Sequence, residues 1–474
     1  MVDVNAYRLF RSGYELVSPR MWLRRCVFWG GAIMVGLVAV GFAMAGEYAN
    51  EVFSKLVAIS PWLPFLIVPT GFGLATWLTV RFFPGAQGSG IPQAIAAIEI
   101  RDQSHRDRLL SMRIAFGKII VTLLGLFSGA SIGREGPTVQ IGASIMHALH
   151  KLVRFSYPEM DRGLVVAGGA AGISAAFNTP IAGIVFAIEE LSRSYEHRTS
   201  GNMITAVIFA GITSLALLGD YTYFGTTDVS ISLGKSWVAI PACGIIGGLL
   251  GGVFSRILIA ASGGFPGKVG RWMRHKPVLF AIACGFLLAI IGWVSGNATY
   301  GTGYHVTKDM LEGTQQVPWS FGFLKLLATT VSYITGIPGG IFAPSLSVGA
   351  GIGQDLSVLL PNVPTSAVII LGMVAYFTGV VQAPLTSFII VMEMTGDRDM
   401  LLPLMATALI AHAASRLVCP NSLYKTLAED FRLGSVESVT PVGRVEPEGE
   451  DGKLAEDKPA GEETAARDAN EVRA

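Results

Sequence analysis

Long apolar runs alternate along this chain with short stretches of glycine, proline and charge. Residues 26–45, 57–80, 238–261 and 277–294 form the longest runs, the third interrupted only by Ser255 and Arg256 near its end. Each approaches or exceeds the ~20 residues that a helix needs to cross a bilayer, so each predicts a spanning helix. Across residues 114–218 the apolar segments are shorter and broken by Gly and Pro, which predicts tilted or half-spanning helices. Residues 101–113 carry Arg101, Asp102, His105, Arg106, Asp107, Arg108 and Arg113 and read as a charged loop. Residues 1–26 read as a basic, amphipathic segment. Residues 431–474 have no aromatic residue after Phe431 and are rich in Glu, Asp, Gly, Pro and Ala, the composition of a disordered acidic tail.

The membrane region repeats itself. Residues 116–143 match residues 323–350 at an offset of 207. Phe116 falls on Phe323, Lys118 on Lys325, Gly133 on Gly340, Pro137 on Pro344 and Gly142 on Gly349. A second block fits at an offset of 204, where Pro180 falls on Pro384 and Glu189 on Glu393. Matches that keep both lysines and both prolines in register predict two homologous halves, residues 27–218 and 219–430. In transporters such halves often run in opposite directions, with sites where they meet. The expected fold is therefore an all-α integral membrane protein built from two inverted repeats of tilted and half-spanning helices. The symmetry breaks at two carboxylates: Glu135 falls on Phe342, and Glu190 on Met394.

Composition narrows the class. Charged residues make up 15% of the chain against 51% hydrophobic, and the net charge is +1, so nothing favours nucleic acid as a partner. The four cysteines, Cys26, Cys243, Cys284 and Cys419, lie in or beside apolar segments without metal-ligand spacing. No metal or cofactor is expected. Arg8, Arg11, Arg20, Arg24 and Arg25 precede the first run without a cleavage signal, which places the N-terminus in the cytoplasm.

The chemistry concentrates in Gly133-Arg134-Glu135-Gly136-Pro137. Pro137 suits the first turn of a helix, so the amides of Glu135 and Gly136 stand free at a positive helix end. Such an end attracts anions, and Glu135 is either that anion or gives way to one. The alternative is a glycine-rich helix start with an interfacial Arg134–Glu135 pair.

Together with Gly88-Ser89-Gly90-Ile91-Pro92 and Gly340-Ile341-Phe342-Ala343-Pro344, this motif resembles those of the CLC family of chloride channels and proton-coupled chloride transporters. The order and spacing of the three also fit, and the resemblance covers residues 27–430. It implies a homodimer with one anion pathway per subunit. Ser89 is implied as a hydroxyl donor to the central anion, its plainer role being a helix N-cap. Serine rather than proline there resembles the chloride-preferring members. Tyr424 is implied as the second hydroxyl donor, its alternative being an interfacial anchor. The amides of Ile341 and Phe342 are implied as backbone donors, with Gly88, Gly90, Pro92, Gly133, Arg134, Gly136 and Gly340 shaping the site. Glu135 is implied as the gating glutamate and Glu190 as the internal proton-transfer glutamate, against a reading of Glu189 and Glu190 as a solvated helix end. Glu189 is expected in an ion pair with Arg193 or Arg198. Gln93 stands where the family often has glutamate, with little effect expected on anion choice. No nucleotide-sensing domain pair is visible, so regulation by ATP is not expected.

The resemblance implies an electrogenic proton-coupled chloride antiporter, multi-pass in the plasma (inner) membrane with both termini cytoplasmic. Its partners are chloride, protons and lipid. Alternatives are a passive chloride channel of the same fold, which needs Glu190 idle, and a fluoride exporter of the family. A membrane-embedded hydrolase using Glu189 and Glu190 is disfavoured, because adjacent helical residues point about 100° apart and do not converge on one substrate.

Overall fold

The structure is a computed structural model that describes residues 19–150, 158–192, 197–219 and 222–433, except 226, 228, 232 and 233. Residues 1–18 and 434–474, which hold most of the expected basic segment and acidic tail, lie outside them. The described residues are helical almost throughout. The first half contains α1 (Pro19–Ile59), α2 (Pro64–Phe82), α3 (Ile91–Glu99), α4 (Gln103–Leu109), α5 (Met112–Phe127), α6 (Glu135–His150), α7 (Pro158–Phe177), α8 (Pro180–Phe186) and α9 (His197–Leu218). The second half contains α10 (Ala239–Ser262), α11 (Gly267–His275), α12 (Pro277–Val294), α13 (Tyr304–Leu311), α14 (Phe321–Ile334), α15 (Phe342–Ser357), α16 (Thr365–Val381), α17 (Pro384–Thr395) and α18 (Leu401–Val418), with α19 (Leu423–Leu433) closing the chain. Among the described residues, six helical stretches are long and apolar enough to cross a membrane.

α1 begins at Pro19, inside the expected basic segment, and its stretch long and apolar enough to cross a membrane starts at Arg25. Three sequence expectations are corrected. The apolar run 57–80 is not one helix. It breaks over residues 60–63, between α1 and α2, where Pro61 and Pro64 bracket a turn and cannot continue the hydrogen-bond ladder of α1. Residues 101–113 are not an open loop, since Asp102 caps α4 by accepting from the amides of Ser104 (3.2 Å) and His105 (3.3 Å). The tail boundary also moves, because residues 431–433 complete α19 rather than start the tail.

The repeat is visible in how the helices touch. In the first half α6 crosses α7 where Gly142 meets Gly168, and in the second α15 crosses α16 where Gly349 meets Gly372. The two contacts fall on one another at the offsets of the sequence repeat. A Cβ on any of these glycines would overlap the facing backbone. Association in lipid gains nothing from hiding apolar surface, so close approach through small residues holds such crossings together. Gly142→Ala and Gly349→Ala are expected to destabilise the protein by about 1–3 kcal/mol each, the usual cost of overpacking. Gly41→Ala should leave stability unchanged or slightly raised, because nothing lies within 4 Å of its added Cβ. Thermal unfolding of the three variants in one detergent checks this, and equal midpoints would sink it.

Candidate functional site

Three motif loops meet where the halves join. Gly133 and Gly340 form an antiparallel bridge: the Gly133 amide donates to the Gly340 carbonyl (2.6 Å), and the Gly340 amide returns the bond (2.7 Å). The Gly339 amide donates to the Gly88 carbonyl (3.0 Å), bringing in the third loop. The Ser131 amide donates to Ser332 Oγ (3.0 Å) across the same seam. The bridged loops are non-helical yet buried, and every such backbone group needs a protein partner at this depth.

Two buried lysines supply the remaining partners. Lys118 Nζ donates to the carbonyls of Ala86 (2.7 Å) and Gly88 (2.8 Å). Its repeat mate Lys325 donates to the carbonyls of Thr299 (2.9 Å) and Gly301 (2.8 Å). Each lysine thus clamps a loop of the pattern Gly-hydroxyl-Gly, Gly88-Ser89-Gly90 in one half and Gly301-Thr302-Gly303 in the other. All four of these glycines have positive φ, between 63° and 100°, which a side chain would strain. The likeness of the two loops escaped the sequence reading because it lies at a different offset, 213, from the repeat blocks.

The clamped and bridged loops bring helix N-termini to one place. Ser89 Oγ lies against Gly136, so that a Cβ there would overlap the hydroxyl. The amide of Gly136 lies against Gly340. Glu135 opens α6, is fully buried, and folds its carboxylate back against Gly133. There it faces the amides of Arg134, Glu135 and Ala343, without closing a full hydrogen bond to any of them. Phe342 opens α15 at the matching position, and its ring packs on Phe377 (4.7 Å between centroids), Tyr424 (6.1 Å), Phe186 (6.2 Å) and Phe177 (6.3 Å). Tyr424 is buried in α19, with Tyr333, Ser89, Glu190 and Glu135 as its polar and charged neighbours. The Ser89 and Tyr424 hydroxyls also close no hydrogen bond that meets strict geometry among the described residues. The structure therefore gathers Ser89, Glu135, Gly136, Gly340, Phe342 and Tyr424 around one buried spot, with Ile341, Gly88, Gly90, Pro92 and Gly133 in the loops and helix starts that shape it.

Glu190 stands off this spot. It is buried, at 2% exposure, on a π-helical turn (Ala187–Ser192) that continues α8. Such turns insert an extra residue into a helix and recur at functional sites. Glu189, its neighbour, takes another role than expected. Its two carboxylate oxygens accept from the amides of Leu385 (3.1 Å) and Thr386 (2.6 Å), at the start of α17. Its repeat mate Glu393 accepts from the amides of Ile181 (3.2 Å) and Ala182 (2.7 Å), at the start of α8. Each half thus caps a helix of the other, so Glu189 serves as a cap; Arg193, one expected partner, lies outside the described residues.

Arg134 makes no hydrogen bond to Glu135, although its charge acts on that carboxylate. Its guanidinium donates to the Ala43 carbonyl and lies 3.8 Å from Glu47, which is itself 3.1 Å from His305 Nε2. A cavity of ≈430 Å³ opens above Arg134, bordered by Glu47, Tyr223 and Tyr304. Glu47 and His305 were missed from sequence because they belong to no motif; the one available signal was an acidic residue directly after an apolar run.

Comparison with known proteins agrees with this geometry. A family model described as voltage gated chloride channel matches residues 71–416. The H(+)/Cl(-) exchange transporter ClcA of Salmonella arizonae is 30% identical over 449 residues, covering 86% of this chain and 90% of that protein. The protein of the same name from Salmonella paratyphi B is 30% identical over 427 residues, covering 83% and 85%. Among solved structures, a slow cyanobacterial Cl-/H+ antiporter superposes with a TM-score of 0.73 at 26% identity, over 87% of this chain and 98% of that one. A CLC-type fluoride/proton antiporter superposes equally well, with a TM-score of 0.73, over 86% and 99%; at 22% identity it shares the fold alone.

The Glu47–His305 pair gives a pH prediction. The hydrogen bond that His305 donates to Glu47, together with the nearby carboxylates, holds the His305 pKa above its ordinary 6.5. A raised pKa means that the stability from the pair is present at low pH and is lost as pH rises through the folded-state value. Thermal stability of the wild type should therefore fall as pH climbs above about 6.5, and His305→Gln should flatten that slope. The effect is small, because both side chains are largely exposed, at 73% and 46%. Parallel slopes in the two proteins would refute it.

Proposed function

Because the chain belongs to the voltage-gated chloride channel family, the CLC transporters, we propose that it is an electrogenic proton-coupled chloride antiporter. It is a membrane transport protein and not an enzyme. The observation that carries the proposal is the position of Tyr424, whose hydroxyl has Ser89 beside it and both Glu135 and Glu190 as charged neighbours. One buried spot thus holds an anion-type donor set and Glu135, with Glu190 in electrostatic reach of Tyr424.

In this reading chloride sits between the Ser89 and Tyr424 hydroxyls and the helix ends at Gly136, Ile341 and Phe342. Helix-end amides offer partial charge, which binds an anion without trapping it. The Glu135 carboxylate competes for the same dipoles, since it carries the same charge and already lies among the amides of Arg134 and Ala343. When it takes up a proton, its negative charge disappears, and the anion can replace it. Glu190 delivers that proton from the other side. An intramembrane carboxylate kept buried at such a cost is a functional group by default. The family relatives named for proton and chloride exchange support antiport over passive conduction. We further take the protein to be a homodimer in the inner membrane with cytoplasmic termini. The basic charge of residues 101–113 supports the cytoplasmic placement of that turn.

Liposomes containing the purified protein and a chloride gradient should drive protons uphill. Glu190→Gln should abolish proton movement while chloride flux continues. Glu135→Gln should also uncouple the two ions, because a permanently neutral side chain neither blocks the site nor carries a proton. Chloride flux without proton movement in the wild type would make the protein a channel and leave Glu190 as a buried structural carboxylate.

A further inference from the structure

The short link between α10 and α12 carries basic charge that no acid answers among the described residues. α10 ends at Ser262 and α12 starts at Pro277, and both belong to stretches long and apolar enough to cross a bilayer. α11 (Gly267–His275) lies between them, followed by Lys276. Residues 267–276 include Lys268, Arg271, Arg274, His275 and Lys276 and no acidic residue. All five side chains are exposed, and none of them joins an ion pair among the described residues. At about 100° per residue, Lys268, Arg271, Arg274 and His275 fall on one arc of the helix, and Val269, Gly270, Trp272 and Met273 on the other. Gly270 and Met273 are buried against the protein. Val269 and Trp272 stay exposed, at 53% and 41%, although the Trp272 ring packs edge-on against Phe280 (5.4 Å) in α12. Arg274 and His275 stand in the last turn, where they suit the negative end of the helix. Lys268 stands in the first turn, where the dipole opposes a cation, and Arg271 lies between the two ends. The helix dipole therefore accounts for only part of the set.

Contacts place α11 on the same face as the charged turn at residues 101–113. The Ser262 hydroxyl, at the end of α10, donates to Asp430 Oδ2 (2.5 Å) on α19. Arg432, on the same helix, meets Glu99 at 3.4 Å, and Glu99 closes the helix that leads into that turn. A basic arc, an exposed apolar edge and an exposed tryptophan between two spans describe a helix that lies in the surface of a bilayer. We propose that α11 is an interfacial anchor whose ligand is the anionic phospholipid headgroup. Lys268, Arg271 and Arg274 hold lipid phosphate, and Val269 and Trp272 dip into the acyl boundary beneath. The rival occupant is the acidic stretch 434–474, which continues the chain from the end of α19. An acidic peptide answers the cations alone and leaves the apolar edge in water, whereas an anionic lipid surface answers both. The anchor needs only the membrane placement of α10 and α12, so it stands apart from which ions the protein carries.

The test reads Trp272 fluorescence in liposomes of phosphatidylcholine with a small share of phosphatidylglycerol, one of the two lipids being brominated as a quencher. The difference between wild type and Trp272→Phe isolates the Trp272 signal. Brominated phosphatidylglycerol should quench that signal as though enriched roughly 3- to 10-fold over its bulk share, the scale that a few cation–lipid contacts supply. High salt should weaken the enrichment by screening. The triple variant Lys268→Gln, Arg271→Gln, Arg274→Gln should abolish it, while brominated phosphatidylcholine still quenches Trp272 because the apolar edge is intact. The triple variant Arg101→Gln, Arg108→Gln, Arg113→Gln removes the same charge from the neighbouring turn and should keep the enrichment. Equal losses in the two triple variants would reduce the effect to general surface charge and overturn the site. Trp272 left unquenched by either lipid would put α11 outside the bilayer and overturn the anchor. Enrichment that appears only once residues 434–474 are deleted would make the acidic stretch the occupant in place of lipid. None of these readings depends on chloride or proton flux, so failure of the antiporter reading and failure of the anchor are told apart.

Discussion

Everything in this protein depends on making non-helical backbone tolerable inside a bilayer. A chain that stops its helices in mid-membrane exposes amides and carbonyls where no water can pair them, at several kcal/mol for each group left alone. Here the loops solve the problem for one another. Gly133 and Gly340 exchange both of their backbone hydrogen bonds, and Lys118 and Lys325 each take two loop carbonyls. Glycine is needed at the bridge because the loops pass too close for a side chain: a Cβ on Gly340 would lie 2.9 Å from the Gly136 amide. Once the carbonyls are tied to lysine and to the opposite loop, the helix N-termini are what remains to face the seam. The donor character of the site is thus a consequence of how the breaks were closed.

The pseudo-symmetry separates architecture from chemistry. Features present in both halves are structural: the lysine clamps, the glycine crossings at Gly142 and Gly349, and the exchanged caps of Glu189 and Glu393. The exchanged caps are informative, because each carboxylate satisfies a proline-led helix start in the opposite half and so locks the halves as one body. Features present once are where the chemistry is proposed. Glu135 has Phe342 as its mate, and Phe342 is the centre of an aromatic cluster drawn from both halves. One copy of the helix start keeps an ionisable group, and the other seals the core beside it. Glu190 has Met394 as its mate and sits on a π turn, while α17 runs on as regular helix through Met394 to Thr395.

The spans, the repeat and the three seam motifs were legible because hydropathy and short-range spacing encode them directly. A run of apolar residues long enough to cross a membrane is at home only in lipid or deep within a large core. The break after Ile59 was not legible from apolarity alone, since Pro61 and Pro64 are themselves apolar and hide inside a hydrophobic run. Glu189 was assigned to a nearby arginine because sequence proximity is all that a sequence displays. Its partners, the amides of Leu385 and Thr386, are almost 200 positions away. Glu47 and His305 escaped for the same reason, as their meeting depends on how α1 and α13 pack. The motifs told which residues share a site, and only the fold tells which charges are kept out of it.

That exclusion is the last step in understanding the site. Three cations lie close to the seam, and each donates to a backbone carbonyl. Lys118 and Lys325 are bound to loop carbonyls, and Arg134 donates to Ala43 and lies near Glu47. A full positive charge at so buried a spot would hold an anion too tightly for turnover, because the low dielectric strengthens every such attraction. Partial charges on helix ends bind more weakly, and in the proposed reading the carboxylate that shares their field displaces the anion from within. The protein therefore does not maximise anion affinity. In the proposed reading it balances helix-end donors against the buried Glu135 carboxylate, so that a bound ion is never far in energy from leaving. A transport site needs this balance, whereas a storage or cofactor site would place its lysines and arginine against the ligand.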